Sequence, residues 1–195
     1  MRLGRLFCTL LLIALAACAS REVLVPKSAE PPAGTNFSGQ WELRNDAAEQ
    51  QRRINSAIRQ TDGVDDDAVI PPTPSRPEER PRRNRGGLVH VFLEHGNRLK
   101  ITQTEGGLFL SFDRAVVEEF RFGENREVVV GPVIADRVSG WEGDEYVVET
   151  LDQNNMKLTE RFALEQGGKV LRRTITLRGK DMQQRTIVQL FDRIP

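Results

Sequence analysis

The chain has 195 residues and a mass of 22.0 kDa, which suits one folded domain better than two. Its 28 Lys and Arg residues balance 28 Asp and Glu residues, so no nucleic-acid partner is expected, because such binding requires a clustered basic surface. A hydrophobic fraction of 38% and a charged fraction of 29% exclude a protein that spans a membrane many times. Two cysteines exclude a framework built on disulfides.

The N-terminal residues predict an export signal over residues 1–17. Arg2 and Arg5 precede a largely apolar run at residues 6–17. This run is too short to cross the hydrocarbon core of a bilayer, which takes about 20 helical residues. It has the length of the apolar region of a secretory signal, and it ends at Leu15-Ala16-Ala17-Cys18.

These last four residues resemble the lipobox of bacterial lipoproteins. The resemblance implies cleavage before Cys18, a diacylglycerol on its thiol and an acyl chain such as palmitate on its amine. Residue 19 is Ala and not Asp, which in that family implies the outer membrane, with the protein facing the periplasm and surface exposure left open. The alternative is an ordinary signal peptide followed by an unmodified cysteine.

A tether, a strand and a helix are predicted next. Residues 18–36 contain three prolines and little periodicity, and they are interpreted as the lipidated N-terminus and a flexible tether. Residues 37–44 alternate between apolar and polar, which predicts a strand. A helix is predicted near 46–60, because Asp46 and Glu49 have the spacing of a capping box and a narrow apolar stripe follows them.

Residues 61–86 form a segment of different composition. They contain half of the ten prolines, several aspartates and an arginine-rich stretch at 80–85. Such a segment cannot build a core, so it is predicted to be a disordered, solvated insertion. In the alternative interpretation, its arginines contact anionic lipid at a membrane surface.

From residue 88 onward, turn signals recur about every ten residues and separate runs rich in Val, Ile, Thr and Phe. This pattern predicts an all-β domain over residues 37–195, with one short helix after the first strand. The strands would form an antiparallel up-and-down meander that closes into a barrel, because closure protects both edge strands. The predicted strands are 88–95, 98–104, 108–113, 115–122, 126–131, 136–142, 145–151, 156–164, 169–178 and 182–191.

Two-residue turns at Gly96-Asn97 and Gly106-Gly107 would set the first registers of this meander. One mostly apolar face then results, interrupted by two polar residues that face each other. The predicted pairs are Phe92–Ile101, His90–Gln103, Ile101–Phe112 and Gln103–Leu110.

Gly39-Gln40-Trp41 in the first strand resembles the Gly-x-Trp signature of lipocalins and related calycins. The resemblance implies that Trp41 closes one end of the barrel and that a basic residue of a late strand packs over it. Arg185 and Arg193 are the candidates. A helix after the first strand is more similar to the fatty-acid-binding branch of this group.

Sequence motifs for catalysis were not found, and no enzymatic activity, cofactor or metal is predicted. The only histidines, His90 and His95, are five residues apart and would point to opposite faces of a strand, so they could not bind one metal ion together. His90 is interpreted as an interior residue that forms a hydrogen bond.

Glu160 and Arg173 are predicted to form an ion pair inside the barrel. Each lies among apolar residues on one face of its strand, and a turn with Gln166-Gly167 at its tip places the two opposite each other. An unpaired buried charge is costly, so the two side chains should bind each other. The pair would either fix strand register or bind the head group of a ligand.

Two classes of function remain, of which the first is the prediction and the second is the alternative. In the first, a membrane-anchored barrel binds an apolar or lipid-like small molecule. In the second, a barrel filled by its own side chains serves as a structural or interaction protein of the cell envelope. A cavity lined by Phe and Leu would favour the first, and a filled interior the second. The candidate ligand-binding residues are His90, Phe92, Phe112, Trp141, Tyr146, Glu160 and Arg173.

The first prediction concerns Cys18. Cys18→Ser should abolish labelling of the protein by radioactive palmitate and leave the precursor uncleaved, because the serine hydroxyl does not accept the diacylglycerol. Labelling and precursor size are read on gels, with Cys8→Ser as the control that keeps both. Unchanged labelling of Cys18→Ser would contradict the predicted lipidation.

Overall fold

The computed structural model describes residues 22–44, 46–61, 89–113 and 116–195. These residues form ten strands, one α-helix and two short 3-10 helices. The strands are β1 Gly39–Leu43, β2 Arg98–Gln103, β3 Gly107–Phe112, β4 Val117–Arg121, β5 Glu124–Val130, β6 Val133–Glu142, β7 Glu145–Asp152, β8 Lys157–Glu165, β9 Val170–Arg178 and β10 Gln184–Ile194. Helix α1 is Ala47–Thr61, and the 3-10 helices are Val89–Phe92 and Gln166–Gly168.

The ten strands form one antiparallel sheet in the order β4-β3-β2-β1-β10-β9-β8-β7-β6-β5. Strand β1 lies between β2 and β10 and pairs with both. The sheet curves into a nearly closed barrel, in which β4 and β5 are the two outer strands. The predicted all-β meander with one helix after its first strand is confirmed. The predicted insertion at 61–86 and the predicted signal at 1–17 lie outside the described residues, apart from Thr61.

The two outer strands of this sheet, β4 and β5, are adjacent but are not joined by a strand ladder. Side chains close this seam between them. The Ser139 hydroxyl donates to the carbonyl of Arg121 at 2.8 Å, and the Tyr146 hydroxyl donates to the same carbonyl at 3.4 Å. The Arg137 guanidinium pairs with Glu118 at 3.5 Å.

The turns lie at two ends of the barrel, because the strands alternate in direction. The lower rim includes the turns 131–132, 153–156 and 179–183, and the upper rim consists of the turns 105–106, 122–123, 143–144 and 166–169. The C-terminal end of α1 reaches the lower rim, where a Cβ on Gly179 would come within 2.7 Å of the Thr61 carbonyl oxygen.

Helix α1 begins as its sequence predicts. The Asp46 carboxylate accepts a hydrogen bond from the backbone N–H of Glu49 at 2.8 Å, which satisfies one of the free donors of the first turn. Ile54 and Ala57 are buried on the inner face of the helix, in an apolar cluster with Ile175 and Ile187 of β9 and β10.

The strand predicted at 88–95 is wrong, because Val89–Phe92 is a 3-10 helix. Val89 and Phe92 are three residues apart and both are buried, which fits the three-residue turn of this helix. They belong to the same apolar cluster as Ile54 and Ile175, so the 3-10 helix packs inside the lower part of the barrel. The predicted pairs Phe92–Ile101 and His90–Gln103 therefore do not form.

The register between β2 and β3 is shifted by two residues from the prediction. Ile101 pairs with Leu110, and Gln103 pairs with Leu108. The turn lies at 105–106, and Gly107 already belongs to β3, where an added Cβ would come within 2.5 Å of the Phe120 carbonyl oxygen. A shift of two leaves each side chain on its expected face.

The prediction of a flexible tether over 18–36 is wrong for residues 22–36. Residues 22–28, named here the strap, cross the outer face of β6, β7 and β8. Leu24 is buried with Val138 and Leu151, and Ser28 forms two backbone hydrogen bonds with Trp141, of 3.2 and 2.9 Å. Lys27 pairs with Glu142 and, at 3.2 Å, with Glu149.

Trp41 has the surroundings that the calycin resemblance implies. Its indole Nε1 donates to the Phe37 carbonyl at 3.1 Å, and the Arg193 guanidinium lies 4.3 Å from the ring centre. Arg193 also donates to the carbonyls of Ser38 and Gly168, at 2.7 and 2.8 Å. Of the two candidates, Arg193 is thus the residue that packs over Trp41, and Arg185 binds Gln60 instead.

Arg193→Ala is expected to lower the free energy of unfolding by about 1–2 kcal/mol. The variant loses a cation–π contact and the hydrogen bonds to backbone carbonyls around the start of β1. Urea unfolding measures the change. Arg185→Ala is the matched control and should cost less than about 0.5 kcal/mol, and equal losses in the two variants would contradict the role assigned to Arg193.

Candidate functional site

The barrel interior is filled by side chains. The upper cluster is mostly aromatic and includes Phe37, Trp41, Phe112, Trp141 and Tyr146. The lower cluster is mostly aliphatic and includes Ile54, Val133, Leu158, Ile175 and Ile187. The buried members of both clusters are no more than 8% exposed. A cavity large enough for a ligand would leave the side chains that line it accessible to water. Since these side chains are almost completely inaccessible, they pack against one another and fill the interior. The largest fully buried side chains are Trp41, Arg173, Tyr146, Phe37, Phe162 and Phe191.

The predicted ion pair of Glu160 and Arg173 is present in this interior. Arg173 is 1% exposed, and its Nε donates to Glu160 Oε1 at 2.9 Å. The predicted register is wrong by two residues, because Glu160 pairs with Ile175 and Arg173 pairs with Phe162. The loop between β8 and β9 covers 166–169, so the two charges meet diagonally on one face.

Arg173 is held by further acceptors from two other elements. Its Nη1 donates to Gln189 Oε1 of β10 at 3.1 Å, and its Nη2 donates to the Glu94 carbonyl at 2.7 Å. The guanidinium also lies between the rings of Phe112 and Phe162, 4.5 and 5.6 Å from their centres. The protein itself therefore supplies hydrogen-bond acceptors to the N–H groups of the guanidinium and aromatic rings to its two flat faces.

Arg137 has a closely similar environment, which the sequence analysis missed. The guanidinium lies 5.3 Å from the ring centre of Phe92 and 5.2 Å from that of Phe120. Its Nε donates to Thr150 Oγ1 at 3.1 Å, and its Nη1 pairs with Glu118 across the seam. The sequence does contain a sign of this site, because Arg137 is a charged residue on the inward face of a predicted strand. The same feature identified Arg173.

Burial raises the pKa of the Glu118 carboxyl to about 7. The Arg137 cation opposes this increase, while the nearby carboxylates of Glu160 and Glu94 add to it. Glu118 thus changes charge close to neutral pH, at the one place where the described part of the barrel lacks a strand ladder.

Trp141 and Tyr146 lie in the upper cluster. The ring centres of Trp141 and Phe37 are 5.5 Å apart, and those of Trp141 and Tyr146 are 5.3 Å apart. Burial raises the pKa of the Tyr146 phenol, which therefore stays neutral and donates to Arg121. The buried Nε1 of Trp141 has no hydrogen-bond partner among the described residues.

His90 is half-buried in the 3-10 helix, so it cannot form the predicted strand pair with Gln103. The Gln103 side chain instead accepts from the backbone N–H of Phe37 at 2.9 Å and donates to the Thr35 carbonyl at 3.1 Å. The structure brings Phe112, Glu160 and Arg173 together and places Phe92 against Arg137. Trp141 and Tyr146 belong to the same upper cluster as Phe112, and the acceptors and rings that hold Arg173 come from other residues.

The outer surface carries shallow grooves. One has a volume of about 390 Å³ and is lined by Gln40, Lys100, Val117 and Ile194, among others. Within the described ranges, no three metal-binding side chains come together, and no helix is long and apolar enough to cross a membrane.

Comparison with known proteins gives similarity of structure alone. No family model matches the chain, and no curated protein matches it by sequence. Solved structures match with low identity. Secretory abundant heat soluble protein 4 from Ramazzottius varieornatus is 15% identical with a TM-score of 0.49, and the match covers 85% of this chain and all of that one.

Two further structures are similar at the same level. A second secretory abundant heat soluble protein from Ramazzottius varieornatus is 12% identical over 85% of this chain and all of its own, with a TM-score of 0.48. The N57A mutant of the fluorescent protein UnaG is 14% identical over 82% of this chain and 96% of its own, with a TM-score of 0.44.

Glu160→Gln is expected to lower the free energy of unfolding by roughly 3–5 kcal/mol, because Arg173 would remain buried without its counter-charge. The double variant Glu160→Gln with Arg173→Met should recover most of this loss, since both charges are then absent. Urea unfolding measures both. The control is Arg172→Met, whose half-exposed pairs with Glu145 and Glu165 should contribute less than about 1 kcal/mol.

The pH dependence of stability should report Glu118. Its carboxyl binds a proton more readily in the folded chain than in the unfolded one, so the stability it contributes is greatest below about pH 4.5 and is lost as pH rises through 7. Between pH 5 and 8, the free energy of unfolding of the wild type should fall relative to that of Glu118→Gln by about 3 kcal/mol. Glu119→Gln, on the exposed face of β4, is the control, and a parallel pH profile for Glu118→Gln and the wild type would contradict the assignment.

Proposed function

We propose that this chain is a lipid-anchored, non-enzymatic protein of the bacterial cell envelope that acts through the outside of its barrel. In this proposal, acyl chains on Cys18 hold it at the outer membrane, facing the periplasm. The barrel is a rigid structural or interaction module and not a container for a small molecule.

The filled interior is the observation that carries this proposal. Arg173 occupies the position where the head group of a ligand would be bound, but Glu160, Gln189 and the Glu94 carbonyl already take its donors. Phe112 and Phe162 cover its faces. A ligand entering here would have to displace aromatic side chains and break a buried ion pair, and both are costly.

The membrane anchor is supported by the sequence around Cys18. The residues Leu15-Ala16-Ala17-Cys18 close an apolar run of signal-peptide length. One acyl chain alone gives marginal, reversible membrane binding, whereas the modified cysteine of a lipoprotein carries more than one. An anchored chain of this kind needs no membrane-spanning segment of its own.

Binding of an apolar small molecule in the barrel is the second candidate. One observation favours it, namely the buried Nε1 of Trp141, which lacks an acceptor among the described residues and lies beside the seam-closing Tyr146. A ligand oxygen or a water molecule in the upper cluster would satisfy this donor.

Titration with the fluorescent fatty acid cis-parinaric acid separates the two candidates. A filled barrel should give no saturable binding at micromolar concentrations, in the wild type or in Glu160→Gln with Arg173→Met. Saturable one-to-one binding by the wild type would contradict the filled-barrel proposal. Loss of that binding in the double variant would then place the head group at Arg173, and retained binding would place it elsewhere.

A further inference from the structure

The strap begins at the lower rim of the barrel with Glu22. The Glu22 carboxylate binds Lys157 at 3.0 Å and Arg178 at 2.5 Å. Lys157 begins β8 and Arg178 ends β9, so both lie beside turns of the lower rim. Leu24, two residues further on, is buried and holds the strap against the wall of the barrel.

Only a short link separates this point from the acylated cysteine of the proposed function. Cys18 precedes Glu22 by four residues, which span at most about 14 Å when fully extended. The ten residues of β6 cover about 33 Å between the two rims. An anchored barrel must therefore keep its lower rim near the lipid, whereas the same link allows the upper rim to lie tens of ångströms away.

The lower rim also carries exposed apolar side chains. Val130 is 44% exposed beside the turn 131–132, and Met182 is 56% exposed in the turn 179–183. Met182 has a φ of 65°, a conformation that favours Gly or Asn, so neither packing nor turn geometry accounts for a methionine there. None of the exposed large apolar side chains found in the described residues lies in the four turns of the upper rim.

We infer that the lower rim rests on the lipid surface, with Val130 and Met182 in the headgroup region of the bilayer. This inference depends on the anchor at Cys18 in the proposed function. Lys180, two residues before Met182 in the same turn, is exposed, so its ammonium group is available to the phosphates of the lipid headgroups. Asp181, the neighbouring carboxylate, already accepts a hydrogen bond from the backbone N–H of Gln183 at 3.1 Å.

Site-specific fluorescence on vesicles tests this orientation. The acylated full-length protein is reconstituted into vesicles of phosphatidylethanolamine and phosphatidylglycerol, with Met182→Cys or Val130→Cys carrying a nitrobenzoxadiazole probe. Asp144→Cys, in the upper rim, is the matched control. The acylated Cys18 thiol does not react, so each variant carries one probe. Emission should rise several-fold and shift to the blue at positions 130 and 182, and stay as in water at 144.

Flotation of the vesicles separates the two possible failures. A protein that does not float with the vesicles overturns the proposed anchor. A protein that floats, but whose probes at 182 and 144 give equal emission, overturns the orientation alone.

Lengthening the link between Cys18 and Glu22 tests whether the short link is what holds the lower rim at the lipid. About 20 Gly and Ser residues inserted between Ser20 and Arg21 should leave flotation intact and reduce the emission at 182 to the level at 144, because the rim is no longer held within reach. Undiminished emission at 182 would contradict the role of the short link.

Discussion

The positive charge of Arg173 inside the barrel is the constraint on which the rest of the interior depends. A buried guanidinium needs a counter-charge and acceptors for its N–H groups, since an unsatisfied charge in this position would remove a large part of the stability of the domain. Glu160 from β8, Gln189 from β10 and the carbonyl of Glu94 supply them. One side chain thus connects β8, β9, β10 and the segment after the 3-10 helix Val89–Phe92.

A second arginine, Arg137 of β6, repeats this arrangement beside the seam. Arg137 and Arg173 each lie between two phenylalanine rings and each bind one glutamate. Arg137 lies beside the seam, where its contact with Glu118 replaces a strand ladder between β4 and β5. Arg137 lies between Phe92 of the lower cluster and Phe120 of the upper cluster, whereas both rings that contact Arg173 belong to the upper cluster.

The sequence was sufficient to predict the class of fold and the face on which each side chain lies, because both follow from a period of two. Glu160 and Arg173 were identified for this reason, although their register was shifted by two residues. Registers depend on which residues of a turn remain in the strands, and Gly107 illustrates the difficulty. It looked like a turn residue, but it is a strand residue that lacks a side chain because the Phe120 carbonyl lies against it.

The sequence was insufficient where a segment packs against the barrel without joining a ladder. The strap was mistaken for a tether because one buried leucine, Leu24, and a few charges carry no periodic pattern. The 3-10 helix Val89–Phe92 was mistaken for a strand because its valines and phenylalanine favour strands locally. In both segments, contacts with distant strands determine the conformation, and a local pattern does not contain them.

The position of β1 between β2 and β10 determines the order in which the chain can complete its fold. Trp41 pairs with Leu99 on one side and Arg193 on the other, and Glu22 binds residues more than 130 positions away. A chain synthesised from its N-terminus must therefore hold Leu24 and Phe37 without their partners until β6 and β7 have emerged, and Trp41 without Arg193 until the last strand has emerged. Such long-range closure is slow, so the strap and β1 stay without their full set of contacts until the chain is nearly complete.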